Sequence, residues 1–303
     1  MDHWGDPISL SVEPTTACNL RCPECPSGLR SFTRETGNLQ LDYFRLIVDQ
    51  THKKSIYLIL YFQGEPYLNP RFFDMVSYAQ QKNLYTITST NGHFLDKERA
   101  KRTVESGLDR LIISIDGTTQ QTYESYRKGG KLDTVLEGVQ NLIHYRKEKA
   151  SKKPFIIFQF LVVKPNEHQV DEMKSLAKDM GVDELRFKTA QIYDYENGHP
   201  LIPDNPKYAR YVPNSKGGYR LKYDLTNQCW KMWHSAVITW NGHVVPCCFD
   251  KDAKHSMGSL NEASFGSIWR NEKYNAFRTK VLRGRKHIDI CSNCTEGCKV
   301  WAT

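Results

Sequence analysis

Six short apolar runs, at 8–14, 55–62, 84–89, 110–115, 155–163 and 184–188, alternate with five helical patterns at 40–52, 70–82, 96–106, 133–149 and 167–180. The runs are mostly apolar rather than strictly alternating, which is how a strand covered on both faces reads. Several helical patterns open on Asp, Asn-Pro or Asn-Glu, residues that favour a helix start. Strand and helix in alternation build a parallel sheet clothed by helices, and right-handed crossovers wrap six such units into an open or closed barrel. The fold class expected is therefore α/β, a partial (β/α)6 TIM-like barrel. Chemistry in such folds sits where strands end and loops begin. A cysteine-bearing loop from Cys18 to Cys25 follows the first strand, Gly64-Glu65-Pro66 the second, Asn91-Gly92 the third and Asp116-Gly117 the fourth.

Beyond residue 189 the pattern dissolves into Pro, Gly, Asn and Tyr, which marks 190–228 as an irregular linker between a barrel at 1–189 and a small cysteine-rich domain at 229–303. Its tyrosines (Tyr193, Tyr195, Tyr208, Tyr211, Tyr219) read as packing more than as a roof over a substrate. The last part holds a hairpin signal, Asn241-Gly242 between alternating apolar residues. A segment this small gains much from a metal staple. No membrane span is expected, since SIYLILYF and FIIFQFLVV, the longest apolar stretches, fall far short of roughly 20 residues. The start, MDHWGDP, has neither a basic region nor an apolar run, so a cytoplasmic location is expected. The net charge of +8 comes mainly from residues 151–303, with 23 Lys and Arg against 16 Asp and Glu. Apart from Lys152–Lys153 and Arg283–Lys286 these are scattered, which reads as solvated surface rather than a nucleic-acid face.

Nine cysteines fall into two groups, Cys18, Cys22 and Cys25 near the start and Cys229, Cys247, Cys248, Cys291, Cys294 and Cys298 near the end. In a reducing compartment such spacing points to metal or cluster ligation rather than disulfides. Three thiolates on one short loop hold three corners of a cubane 4Fe–4S cluster and leave one iron open. Structural zinc wants four ligands, and no fourth Cys or His lies between Cys25 and His52. The run CNLRCPEC resembles the CxxxCxxC signature of the radical S-adenosylmethionine (SAM) superfamily, in which the open iron is chelated by SAM and the reduced cluster cleaves it to a 5'-deoxyadenosyl radical. Further motifs follow in that family's order. QGEP at 63–66 resembles the motif that receives SAM's ammonium, which implies Gly64 and Glu65 in that role. STNG at 89–92 and ISIDG at 113–117 resemble its third and fourth strand ends, with Ser114 and Asp116 facing ribose or carboxylate. Arg127 resembles an arginine that meets the SAM carboxylate, for which a guanidinium is well suited, and Asn166 an asparagine near the ribose. Gln63 stands where the family has a first glycine, and Glu24 where it usually has an aromatic or apolar residue beside the adenine.

The second group resembles the SPASM/twitch extension of that family, in its shorter twitch form. That resemblance implies Cys229, Cys247, Cys291 and Cys294 as ligands of one auxiliary 4Fe–4S cluster, a hairpin bringing the first two together and a CxxC loop supplying the others. Cys248 stands as an alternative to Cys247, and Cys298 to a member of the CxxC pair. A zinc knuckle on the same four thiols would staple the domain but carry no electron. In the family a fully ligated auxiliary cluster usually takes an electron from the substrate radical, so an oxidoreductase is expected. Members with this layout oxidise a secondary alcohol of a cyclitol to a ketone, which implies dehydrogenation of a sugar- or cyclitol-like small molecule. The alternative is a maturase of a ribosomally made peptide, against which weighs the short stretch of 17 residues before Cys18. The cofactors implied are SAM, its 4Fe–4S cluster and the auxiliary cluster, with an external donor such as flavodoxin or ferredoxin. Of Arg186 and Lys188, at the end of the sixth strand, one is expected to face inward, and Lys188 is taken as the catalytic or substrate-side candidate. His234 and His243 read as surface or packing residues.

Overall fold

The computed structural model describes residues 5–296 and the backbone of residues 301–302. Six parallel strands, β1 (Ser9–Val12), β2 (Tyr57–Ile59), β3 (Tyr85–Thr90), β4 (Arg110–Ser114), β5 (Phe155–Val162) and β6 (Glu184–Thr189), pair in chain order. Between them run α1 (Pro26–Leu29), α2 (Leu41–Thr51), α3 (Phe72–Gln81), α4 (Lys97–Glu105), α5 (Gln120–Tyr126), α6 (Leu132–Glu148) and α7 (Val170–Met180). Alternate strand residues face the helices: Leu10, Val12, Leu58, Leu60, Leu111, Ile113, Phe158 and Phe160 pack against Phe44, Ile47 and Val48 of α2 and their counterparts on other helices. Each such side chain is worth roughly 1.5–3 kcal/mol when fully buried. The opposite strand faces line a lumen, whose floor is the apolar plug of Ile87, Ile112 and Ile157 ringed by Tyr57, Ile59 and Phe155. Side chains nearer the strand ends are polar there, with Ser114 opposite Gln159 and Gln159 opposite Arg186.

Residues 190–228 hold a hairpin of β7 (Tyr211–Pro213) and β8 (Tyr219–Leu221) within the stretch read as irregular; strands of three residues are too short to show a period. Its tyrosines mostly pack. Tyr195 stacks on Tyr211 at 4.2 Å, and Tyr208 joins the main core beside Phe187. Further on come α8 (Lys231–His234), β9 (Ser235–Ile238), β10 (His243–Val245), β11 (Gly258–Ser259), α9 (Phe265–Arg270), α10 (Glu272–Gly284), α11 (Asp289–Ser292) and β12 (Trp301–Ala302). The hairpin signal at Asn241-Gly242 is the β9–β10 turn, where Gly242 adopts φ +87°. β9 lies parallel to β1, Ser9 opposite Ser235 and Val12 opposite Ile238, while β12 closes the other edge against β6, giving ten strands in the order β11-β10-β9-β1-β2-β3-β4-β5-β6-β12. Among the described residues no helix is long and apolar enough to cross a membrane.

Candidate active site

β1 ends at Val12, and the chain then loops outward through Cys18, Cys22 and Cys25. The loop closes on itself: Cys25 N–H donates to Cys22 O at 3.3 Å, and Leu29 N–H to Cys25 O at 2.8 Å as α1 begins behind Pro26. The three thiols lie within one another's electrostatic reach, packed with Leu20, Tyr126, Val163 and Ile192. Burial pushes the Cys18 thiol up to about 11 and raises Cys22 as well, the latter opposed by the Arg127 guanidinium. A thiolate held in so apolar a pocket needs a cation to replace its proton, which is what iron supplies. Three N–H donors already aim at the sulfurs, Leu20 N at 3.5 Å and Asn91 Nδ2 at 3.9 Å from Cys18 Sγ, and Arg127 Nη1 at 3.8 Å from Cys22 Sγ.

After β2 the backbone turns sharply under this loop. Gly64 adopts φ +72°, and a Cβ there would stand 2.4 Å from Thr15 O and 2.8 Å from Ala17 O. Glycine is therefore required at 64, whereas no such demand falls on Gln63, where the motif departs from the family's pattern. Glu65 N–H donates to Ala17 O at 2.7 Å, which pins the turn to the cysteine loop. The Glu65 carboxylate, 2% exposed, accepts from Asn91 N at 2.7 Å, Thr90 Oγ1 at 2.8 Å and Tyr67 N at 3.3 Å. Burial nevertheless outweighs these bonds and pushes its pKa up to about 7. Asn91, whose Nδ2 also donates to Asn19 Oδ1 at 2.7 Å, thus joins the carboxylate to the cysteine loop. Its place at the end of β3, within STNG, is the sequence signal for it.

Asp116 and Arg127 form a buried ion pair, and Asp116 also accepts from Leu161 N at 2.7 Å. Burial raises Asp116 while Arg127 opposes the rise. The guanidinium is thereby held against Cys22, and Asp116 acts through it. Asn166 donates to Asp116 O at 3.0 Å and Leu161 O at 2.9 Å and accepts from Val163 N at 2.7 Å, locking the ends of β4 and β5 together. Ser114, 7% exposed, lies on the lumen face of β4 one level below Asp116. Glu24 turns its carboxylate to Tyr193 N at 3.0 Å and faces His199 Nε2 at 3.5 Å, tying the cysteine loop to the segment after β6.

Arg186 and Lys188 share one face of β6. Positions two apart on a strand point the same way, and Phe187 between them packs outward against Phe160 at 5.8 Å. Both therefore face the lumen, which corrects the expectation that only one does. Arg186, lower down, chelates Glu184 with Nη2 at 2.8 Å from Oε2. Lys188, level with Leu161, is half-buried.

At the other end of the chain, Cys229 precedes α8 and Cys247 follows β10, while Cys291 and Cys294 lie on α11 and just after it. Cys247 sits in the fields of Cys291 and Cys294, and those two in the field of Cys229. Burial raises all four, Cys291 to about 12. Arg285, 1% exposed, runs beneath them: Nη2 donates to Cys294 Sγ at 3.2 Å and Nη1 to Gln228 O at 2.7 Å and Glu296 O at 3.0 Å. Arg285 belongs to the Arg283–Lys286 run that reads as surface, and it is the buried brace of this site. Cys248 receives Lys231 Nζ at 3.6 Å and sits in the fields of Lys188 and Tyr61. Cys298 lies outside the described residues. The all-sulfur donor sets, buried or half-buried and met by N–H donors, fit iron–sulfur clusters at both places. Because β9 starts beside the start of β1 and β10 runs back, the chain enters the β9–β10 hairpin from Cys229 and leaves it towards Cys247 at the end of β1 opposite the one from which it leads to Cys18.

Comparison with known proteins agrees. The sequence pattern of the radical SAM superfamily matches residues 12–183, and that of SPASM, an iron-sulfur cluster-binding domain, matches residues 229–295. The chain is 28% identical to the tungsten-containing aldehyde ferredoxin oxidoreductase cofactor-modifying protein of Pyrococcus furiosus over 94% of its own length and 86% of that protein. It is 26% identical to the PqqA peptide cyclase of Gluconobacter oxydans (90% and 79%) and 30% identical to the mycofactocin maturase MftC of Mycobacterium tuberculosis (95% and 75%). Among solved structures, BtrN in complex with AdoMet and 2-DOIA shares the fold at TM-score 0.58 and 20% identity, covering 98% of this chain and 95% of that one. Streptococcus suis SuiB bound to the precursor peptide SuiA does so at 0.68 and 13%, covering 91% and 67%. The chain belongs to the radical SAM superfamily, an enzyme whose cofactors are S-adenosylmethionine, the 4Fe–4S cluster that binds it and an auxiliary iron–sulfur cluster.

Proposed function

We propose that this enzyme oxidatively modifies a substrate held in the lumen, and that the substrate is a peptide or protein segment. The observation that supports the oxidative part is that the chain leaves β1 towards Cys18 at one end and joins the β9–β10 hairpin to Cys229 and Cys247 at the other; on this reading a molecule in the lumen lies between the two thiol sets. When bound, SAM and its cluster supply a 5'-deoxyadenosyl radical that abstracts a substrate hydrogen atom, and the auxiliary cluster supplies an acceptor for the electron left behind. Cys18, Cys22 and Cys25 hold the first cluster; Cys229, Cys247, Cys291 and Cys294 hold the second. Glu65, beside the turn at Gly64, receives SAM's ammonium, and Arg127, held by Asp116, its carboxylate. Ser114 lies on the ribose side, and Asn166 keeps the strand ends in register for it. Lys188 faces the substrate. A flavodoxin- or ferredoxin-type protein supplies the reducing electron.

The peptide is placed before the sugar- or cyclitol-like molecule because two relatives that align with most of this chain are, by name, a peptide cyclase and a maturase. The test is anaerobic turnover with dithionite, following 5'-deoxyadenosine and product together. Cys22→Ala abolishes SAM cleavage, whereas Cys294→Ala leaves cleavage and stops product formation. Full turnover by the Cys294 variant would remove the auxiliary cluster from the reaction. Product from an aminocyclitol, with none from any peptide encoded beside the enzyme, would exchange the two substrate classes.

A further inference from the structure

Three stretches, 17–23, 27–34 and 127–131, surround the first thiol set. In the first of them exposed Ala17, Asn19 and Arg21 alternate with half-buried Cys18 and buried Leu20 and Cys22, so the former present the outer side of the loop. Together the three stretches hold six basic residues and no carboxylate. Two of the six meet buried carboxylates, Arg34 with Glu13 and Arg127 with Asp116. The other four, Arg21, Arg30, Lys128 and Lys131, are exposed, and among the described residues none of them forms an ion pair.

Hydrogen bonds tie all four to the sulfur site. Arg21 N–H donates to Lys128 O at 3.0 Å, which joins the first stretch to the third. Arg127, next to Lys128 in the chain, reaches Cys22 Sγ at 3.8 Å. Lys131 N–H donates to His93 Nε2 at 2.8 Å, and His93 Nδ1 lies 3.0 Å from Asn91 Oδ1, on the residue whose amide reaches Cys18. The Arg30 guanidinium donates to Cys18 O and Ser27 O. Beside Arg30 a cavity of about 490 Å³ reaches Cys18, walled by Thr15, Thr16, Ala17, Phe32 and Gly37, and Arg30 is the one charged residue of its lining.

We propose that this face docks a flavodoxin-type electron donor, a small acidic protein whose carboxylates meet Arg21, Arg30, Lys128 and Lys131 and whose flavin edge enters the cavity at Cys18. Unpaired cations around an uncharged hollow suit a flat, neutral ring edge set in an acidic rim, and complementary charge steers the encounter. One electron leaves the anionic flavin hydroquinone, which becomes the neutral semiquinone, and passes to the iron held by Cys18, Cys22 and Cys25; no proton moves. The inference rests on the radical reading of these three cysteines and places the partner that serves them. An acidic protein is favoured over a nucleic acid because the cations gather at the one site that must receive an electron.

The experiment titrates the anaerobically reconstituted holoenzyme with a purified acidic flavodoxin, oxidised for calorimetry and reduced for turnover. Wild type binds it, and raised salt weakens the binding. The double reversal Lys128→Glu/Lys131→Glu weakens it by about 10-fold or more at low salt, and Arg21→Glu by about 3-fold, since attractions become repulsions. Formation of 5'-deoxyadenosine driven by limiting reduced flavodoxin falls in step, whereas formation driven by dithionite, which needs no docking face, keeps the wild-type rate. Lys273→Glu/Lys280→Glu, at exposed positions on α10, changes the net charge by the same amount and moves neither readout. Iron content and visible absorption report cluster loading, and the Lys128/Lys131 pair, outside the cysteine loop, serves if Arg21→Glu loses its iron. Absence of binding by wild type, equal binding by the reversed variants, or an equal loss in the α10 control overturns the inference. Tighter binding of a ferredoxin or of a single-stranded oligonucleotide to the same face overturns it too, in favour of that partner. Failure of the wild type to cleave SAM with dithionite strikes the radical reading instead, and flavodoxin binding is measured independently of it.

Discussion

Glu65 is the residue at which burial and hydrogen bonding pull hardest against each other. Three donors favour its carboxylate, yet desolvation brings it to about 7, so near neutrality it is only partly ionised before its cationic partner arrives. An ammonium group binds the ionised form. The competent fraction therefore rises from about a tenth at pH 6 towards unity at pH 8, and apparent SAM affinity rises about 10-fold over that window. Glu65→Gln removes the slope and retains the weak limit. Calorimetric SAM titrations at several pH values check this; a flat wild-type profile would discard it. At this scale the motifs that resemble the family's point to residues the structure buries and pairs: Glu65 under three donors, and Asp116 with Arg127. Arg285 is not among them, because a single arginine in a basic run gives no hint that it lies at 1% exposure under Cys294. Glu24 likewise gives no sign that its partners are Tyr193 and His199.

Elements are more legible than their joints. The six strands and five longer barrel helices fall where apolar runs and start signals place them, within a few residues. The short pieces escape. α5 buries only Tyr123 and Tyr126, too few to set a period, and it is capped by Thr119 rather than by a longer signal. The turn after β2 is the joint on which the site depends, and its requirement is testable. Gly64→Ala forces a Cβ against two backbone oxygens at 2.4 and 2.8 Å in a left-handed conformation, which by itself costs roughly 1–2 kcal/mol. The Glu65 N–H bond to Ala17 O then breaks, and SAM binding is lost along with the carboxylate's placement. Gly129→Ala, at φ +79° but with nothing within 4 Å of the added carbon, bears the conformational cost alone and keeps SAM binding. Comparing the two by SAM titration and urea unfolding separates clash from strain.

Across the whole molecule, the two cysteine-bearing regions share one sheet through β1 and β9, a pairing no local pattern announces because its partners lie more than 200 residues apart in the chain. The pairing has a polar lock. Glu13, fully buried just past β1, is gripped by Arg34 at 2.6 and 2.9 Å and accepts from Trp240 N at 3.2 Å in the β9–β10 turn. Arg34 also donates to Lys251 O at 3.0 Å and lies 4.7 Å from the Phe32 ring centroid, so one guanidinium joins the segment after the cysteine loop to the auxiliary region. Burial already raises Glu13, and Arg34 is the main counterweight. Removing the counterweight with Arg34→Met leaves a buried carboxylate unpaired and costs about 3–5 kcal/mol. Its sign with pH follows from the proton. Without Arg34 the folded form keeps Glu13 protonated while the unfolded form releases that proton above about pH 4.5, so the folded form binds more protons and the variant loses stability as pH rises. The deficit relative to wild type is therefore smallest near pH 5 and grows towards pH 8, as measured by urea unfolding of the anaerobic holoenzyme at both values. Glu13→Gln in the same background removes the titration and flattens the trend. A deficit independent of pH in the Arg34 variant would mean that the guanidinium acts through its aromatic and backbone contacts, and that the lock between the two regions is one of packing rather than charge.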